Sequence, residues 1–587
     1  MTRALKVISL AVEIDWQSEP GSAADGHTHP KALPDSQGGS PAAPETAPRS
    51  LMMVALAVGV LLGVLAPPTT QDGADGSLVL AGYVNFPAQA PMNHYFLDSW
   101  TIIHQIGALM LRAGLNLAYV NELIFLFPCA LLVCAYATVI YCFSGQYWLS
   151  LFAAPLYYLT NPLAKFFASP DYATLGLIWD QASDHTYGSW AHVGAVWVIG
   201  CVAAGRNALA GFSALILIAV HPVLGVYMVA LLATALFVAR FLFGANVSGF
   251  AKGAVWGAGI VILSFAAYLE TRPGVSGTID YAAFAAYMDS WDTHRSHAIT
   301  ADLALRIGVA AVIAVAMLSM FLIFARPRSN AALLTAGVVL LAVIASTIAY
   351  FAEHLVPHLL PEIVLRAAPG RLLNVQAFLS TPMALGLALY AIGQAARDWR
   401  IAAVRLAGRA VPIVIALGVA VDLAGHILSR RHLISDDARA VTALVRGPAR
   451  DDAPFWSRVR TIGATGLVLT SRSAARPALY YGHLPVALNV GAIDFIAYLP
   501  QNAGPVARII EDGYGVSFSH PPPEFRHAGA LPPDGGRAYW AQLSPDGWCR
   551  ISHDLDVGAV VAPNDWSVSL PRLASGAEFT MYKIACD

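Results

Sequence analysis

The chain is 587 residues long, 57% hydrophobic and 12% charged, with a formal net charge of −2 and a mean hydropathy of +0.58. Soluble proteins average about 45–50% apolar and about 25% charged residues, so an ordinary water-soluble enzyme is excluded and a multipass membrane protein is expected. No basic block of the kind that follows a phosphate backbone is present, which excludes a nucleic-acid partner.

Residues 1–50 are rich in Pro, Gly, Ala and Ser without a periodic apolar face, and read as a disordered cytoplasmic tail. Their one apolar run is short and broken by Lys6 and Glu13, so no signal peptide is expected. The first span covers 51–67, about the minimum length for a crossing. Arg49 precedes it and residues 68–100 hold no Lys or Arg, which by the positive-inside rule places the tail inside and that loop outside. Residues 100–115 have apolar side chains at helical spacing and read as a helix lying in the interface. Crossings follow at 121–142, 147–159 and 188–204, with a polar stretch at 169–190 facing outward.

The apolar run 208–244 is too long for one crossing at about 1.5 Å per residue, and His221-Pro222 interrupts it. A tight helical hairpin bent at the proline is the economical reading. Further crossings are expected at 254–269, 304–324, 331–351, 372–394 and 411–428, with Arg206, Arg240, Lys252, Arg326, Arg328 and Arg397 marking the inner turns. The fold class is therefore membrane all-α, with about eleven transmembrane helices over 51–428. From 429 to 587 the composition becomes that of a water-soluble domain. Segments 466–471, 477–482 and 485–489 read as strands, 503–515 as a helix stopped at Gly513, and 558–563 and 578–584 as later strands: an exported α/β domain.

Six cysteines divide between these parts. Cys129, Cys134, Cys142 and Cys201 fall in spans, where a thiol behaves as a small apolar group. Cys549 and Cys586 lie in the exported domain, where an oxidising exterior leads us to expect a disulfide. The chain has no H-E-x-x-H, C-x-x-C, G-x-S-x-G or phosphate loop. Its polar groups instead gather in the outer segments.

This layout resembles the C-type membrane glycosyltransferases: a first span, a long outer loop carrying acids, many further spans, arginines beside a late outer loop and an exported α/β domain. It is also similar to a set of bacterial multipass proteins with H-T-Y-G and H-P-x-L-G phrases, matched here by residues 185–188 and 221–225. The resemblance implies transfer of a sugar from a polyprenyl-phosphate donor to an envelope glycan or protein, in the inner (plasma) membrane, on its extracytoplasmic face. The family's catalytic carboxylate sits in the first outer loop, often in an adjacent acidic pair. Here that loop offers Asp72, Asp75 and Asp98, none of them paired.

Transfer from a lipid phosphate needs a base for the acceptor hydroxyl and cations for the departing phosphate. Asp98 is the first candidate base, with Asp171 and Asp184 next. Arg366 and Arg371 are candidates to clamp phosphate, and His185, Tyr187 and His221 to contact substrate. No metal-ligand spacing is present, although the many outer carboxylates leave room for a divalent cation. Each role has a plainer rival. Asp98 favours the N-terminus of the following helix, the arginines are interfacial anchors, and His221 satisfies backbone groups at a bend. A transporter or flippase, and a non-enzymatic envelope assembly protein, stand as alternative functions.

Overall fold

The apolar runs are helical, as the need to satisfy every backbone N–H and C=O within a bilayer requires. The computed structural model of the chain describes residues 46–65, 74–155, 187–272, 278–291, 330–355, 359, 372–398, 452–489, 493–497, 499–526 and 530–586. In chain order the helices of the apolar part are α1 (Arg49–Leu65), α2 (Asp75–Leu80), α3 (Pro91–Asp98), α4 (Ile102–Arg112), α5 (Leu117–Ser144), α6 (Tyr147–Ala153) and α7 (Tyr187–Ala203). These are followed by α8 (Asn207–Val220), α9 (Pro222–Phe243), α10 (Ser248–Thr271), α11 (Tyr281–Ala286), α12 (Asn330–Leu355) and α13 (Leu372–Asp398).

Among the described residues four helices are long and apolar enough to cross a membrane: Tyr119–Ser144, Pro222–Phe241, Ser248–Thr271 and Asn330–Ala352. Shorter apolar helices, among them Arg49–Gly63, Gly188–Ala203 and Asn207–Val220, stand beside them among the described residues. The spans expected at 304–324 and 411–428 lie outside the described residues, as do the tail 1–45 and most of the polar stretch 169–190. Where a crossing was expected at 147–159, the described helix is the seven-residue α6. Phe237, Phe241, Val255, Trp256, Ile262 and Leu263 are exposed on α9 and α10, Trp256 by 73%. So large an apolar face is stable only against lipid or another apolar partner.

Side-chain contacts give the running directions. Cys134 donates to the Met52 carbonyl while Gly63 lies against Leu126, so α1 and α5 are antiparallel. Trp190 donates to the Ile124 carbonyl and Gly200 abuts Ala135, so α7 runs with α5. Trp197 donates to Ser213 and Gly194 meets Leu217, so α8 runs against α7. Gly249 meets Asn207 and Gly257 meets Leu215, so α10 runs with α8. The ends of α1, α8 and α10 and the starts of α5 and α7 therefore share one end of the bundle. His221 stands there as the N-cap of α9, its ring accepting the Leu224 N–H, and Pro222 opens that helix. The expected break at His221-Pro222 is where α8 turns into α9.

The terminal part contains α14 (Ala453–Ile462), β1 (Leu467–Thr470), α15 (Arg472–Tyr480), α16 (Ala503–Arg508), α17 (Arg537–Gln542), α18 (Pro545–Leu555), β2 (Val557–Pro563), β3 (Arg572–Ser575) and β4 (Phe579–Lys583). Its sheet has the order β1-β2-β4-β3, with β1 parallel to β2 and the remaining pairs antiparallel. The strand expected over 477–482 is the end of α15. Ser471 caps that helix by accepting the Ala474 N–H, and buried Ala474, Ala475, Ala478 and Leu479 form one helical face. Segment 485–489 adds only a single bridge, Val486 to Val468. Cys549 of α18 is joined to Cys586 beyond β4, with Cα atoms 5.5 Å apart.

Among the described helix glycines the tightest approach is at Gly253, where an added Cβ would lie 1.8 Å from the Ala208 carbonyl oxygen. Gly259, on the same helix, has nothing within 4 Å of such an atom. Gly253→Ala is therefore expected to cost about 1–3 kcal/mol of stability. Gly259→Ala is expected to leave the melting midpoint in detergent unchanged or raised; equal midpoints for the two variants contradict this packing.

Candidate functional site

The terminal domain docks on the first loop through four named contacts. The Tyr480 hydroxyl donates to the buried Asp75 carboxylate, and the Asn502 amide donates to the Pro91 carbonyl at 3.2 Å. Tyr95 packs on Phe495 with ring centroids 4.8 Å apart, and Tyr83 meets the His483 ring edge-on at 5.3 Å. Asp75, one of the acids of this loop, is thus spent on holding the two parts together.

His483 has the positive φ of 52° that Asn also tolerates. Burial, assisted by the Arg460 guanidinium, holds its imidazole down at about 4. Its folded value lies below the unfolded value of about 6.5, so between those limits the unfolded chain binds more protons and stability falls as pH falls. His483→Asn is expected to flatten this part of the pH dependence. Melting at pH 7 and pH 4.5 checks it, and an equal acid loss in both proteins contradicts the assignment.

A second strap comes from the segment after α10. Asp280 caps α11, accepting the Ala283 N–H at 3.0 Å. The chain continues through a π-helical turn, Tyr287–Trp291. Trp291 is fully buried. Its indole N–H donates to the Phe518 carbonyl at 2.9 Å, and its ring stacks on Phe518 at 5.5 Å. Where the start of α11 crosses the start of α16, Gly504 leaves room for the Asp280 side chain.

Between first loop, strap and terminal domain lies a cavity of about 830 Å³. His94 and Asp98 reach it from α3, Thr278 and Asp280 from the strap, and Gln501, Arg508 and Glu511 from the terminal domain. Asp98 is the deepest charge, its side chain only 5% exposed. One oxygen is 2.9 Å from His94 Nδ1, one helical turn back. The other lies 3.7 Å from Arg272 Nε and accepts no hydrogen bond. Tyr268 donates to the Asp98 backbone carbonyl at 3.2 Å.

Helix formation does not account for this carboxylate. Thr101, not Asp98, caps α4, accepting the Ile103 N–H at 3.3 Å. Asp98 is instead the last residue of α3, the end at which the helix dipole disfavours negative charge by roughly 0.3–1 kcal/mol. Pro91 opens α3 at its first position, which puts residues 94 and 98 on one face. His94 and Arg272 supply the positive or hydrogen-bonding groups that offset the cost.

No family model matches the sequence, and no curated protein does. Among solved structures the chain is similar to the archaeal oligosaccharyltransferase AglB from Archaeoglobus fulgidus, in complex with an inhibitory peptide and a dolichol-phosphate. Identity is 13%, 88% of this chain and 69% of that one are covered, and the TM-score is 0.39.

Of the residues singled out from sequence, Asp98 lines the cavity. Asp171, Asp184, His185, Arg366 and Arg371 lie outside the described residues. Tyr187 opens α7, with its side chain outside the description. His221 caps α9 and is not among the cavity's lining. Arg272, Asp280, Arg508 and Glu511 were not anticipated; the one available signal was the His94/Asp98 spacing behind Pro91. Among the described residues no group of three or more His, Cys, Asp and Glu is placed to hold a metal ion.

Proposed function

We propose that the protein is an integral membrane glycosyltransferase. It moves a sugar from a polyprenyl-phosphate donor to a hydroxyl of an envelope glycan or protein on the extracytoplasmic face. The observation that carries this reading is Asp98: a nearly buried carboxylate held between His94 and Arg272, on a cavity at the junction of an apolar bundle and a polar domain. A lipid-linked donor needs such a junction, because its tail belongs in hydrocarbon and its sugar in water.

In the step itself an Asp98 oxygen takes the acceptor hydroxyl proton as that hydroxyl oxygen bonds to the anomeric carbon. The bond from that carbon to the phosphate oxygen breaks, and polyprenyl phosphate leaves with the electron pair. Arg272 and Arg508 are the described guanidinium groups nearest the reaction, suited to the phosphate by their fixed forks of donors. His94 positions the carboxylate. Arg366 and Arg371 are proposed as further phosphate contacts, Asp171 and Asp184 as additional acids, and His185, Tyr187 and His221 as substrate contacts beyond the cavity described.

Sidedness follows from charge in this reading. Arg49, Arg206, Arg240 and Lys252 sit at the bundle end opposite Asp98, where α1, α8 and α10 begin and α9 ends. By the positive-inside rule that end is cytoplasmic. The Cys549–Cys586 bond agrees with an oxidising compartment for the terminal domain. About eleven crossings over 51–428 complete the proposed arrangement, with domains at 1–50, 51–428 and 429–587.

Purified protein in nanodiscs, presented with a panel of polyprenyl-phosphate sugars, is expected to transfer at least one of them. Asp98→Asn is expected to lose about 10²–10⁴-fold in rate with an unchanged melting midpoint. His94→Gln is expected to lose less, because the glutamine amide still offers the Asp98 carboxylate a hydrogen-bond donor. Full activity in Asp98→Asn, or no turnover with any donor, removes the assignment.

A further inference from the structure

We propose that the acceptor this cavity takes is a polyhydroxylated molecule that is neutral or cationic, a neutral or amino sugar, and that it turns away sugars bearing a carboxylate, sulfate or phosphate. The inference rests on the transfer reading above and adds a substrate class to it.

The cavity falls in the usual range of ligand pockets, about 300–1,000 Å³. Its lining brings three carboxylates, Asp98, Asp280 and Glu511, against one guanidinium, Arg508. They come from three separate walls, so they are held around the space by the fold and not merely adjacent in sequence. Asp98 is the buried member: its unbonded oxygen is closed off from solvent beside Arg272, and its other oxygen meets His94. Asp280 gives one oxygen to the Ala283 N–H and Glu511 gives one to the Phe518 N–H at 2.9 Å. The second oxygen of each accepts no hydrogen bond from a described residue. The Gln501 side-chain amide adds both an acceptor and donors.

Such a surface asks its guest for donors. A hydroxyl offers one O–H and an ammonium three N–H groups, whereas an anionic substituent offers only acceptors and a like charge. The cations near the cavity are already committed in the proposed reaction: Arg272 lies against Asp98, and Arg508, whose charge is felt by Asp512, faces the donor phosphate. Among the described residues no further lysine or arginine lines the cavity to receive a second anion, and the His94 ring is taken up by Asp98.

Saturation-transfer NMR on the full-length protein in nanodiscs tests this with three probes: methyl glucoside, its 2-amino-2-deoxy analogue and methyl glucuronide. The first two are expected to bind, with the glucuronide at least about ten-fold weaker because like charges are brought together. In the Asp280→Asn, Glu511→Gln double variant that gap is expected to close to within about three-fold; Asn caps a helix as well as Asp, so α11 is retained. Equal or tighter glucuronide binding, a gap unchanged in the double variant, or no binding of any probe overturns the inference. Since binding is read without turnover, charge discrimination in a protein inactive on every donor leaves the acceptor class standing while the transfer reading falls. Turnover with charge-indifferent binding does the reverse.

Discussion

A carboxylate withdrawn from water at the wrong end of a helix is the constraint around which this molecule is arranged. Asp98 closes α3 where the dipole disfavours it, and burying an anion is costly unless other groups meet it. His94 meets it from one turn back and Arg272 from the end of α10. That second partner depends on the packing of α4 against α10. Trp100 donates to the Ser264 hydroxyl at 3.0 Å, Gln105 to the Ser264 carbonyl at 2.9 Å, and Trp100 packs on Phe265 and Tyr268. The membrane bundle thereby fixes the position of a charge in a water-facing space.

The other walls of that space come from chain far away in sequence. Trp291 reaches Phe518 across 227 positions, and Tyr480 reaches Asp75 across 405. Both contacts join segments between the long helices to the terminal domain. Docking makes one chamber of three surfaces, and Glu511, Arg508 and Asp280 face Asp98's cavity only because of it.

Some of this was legible in the residues. Long apolar runs announce helices because lipid offers no partner to backbone polar groups, and Pro222 marks the turn into α9 because proline lacks the N–H a helix interior needs. Leu467–Thr470, Val557–Pro563 and Phe579–Lys583 are rich in β-branched, aromatic and other apolar residues and were recognised as strands. The run ending in Leu479-Tyr480 was misread because its aromatic residues suggest a strand, while the Ser471 cap and the alanines decide for a helix. Asp98 was singled out as a candidate, but read beside the wrong helix: Thr101 opens α4, and Pro91 shows that the acid ends α3. Arg272, Asp280 and Arg508 were not legible, since nothing local distinguishes them from other loop and surface charges; only tertiary contact brings them to the cavity.

The position of a bound donor is the direct test of Asp98's role. A cryo-EM map of the protein in nanodiscs with a non-transferable polyprenyl-phosphate sugar analogue measures that. The sugar is expected in the cavity between α3, α11 and α16, with its phosphate against Arg272 or Arg508 and Asp98 facing the space beside the anomeric carbon. Density for the sugar at the Arg49 and Arg206 end of the bundle, or an Asp98 walled off from a bound donor, contradicts it.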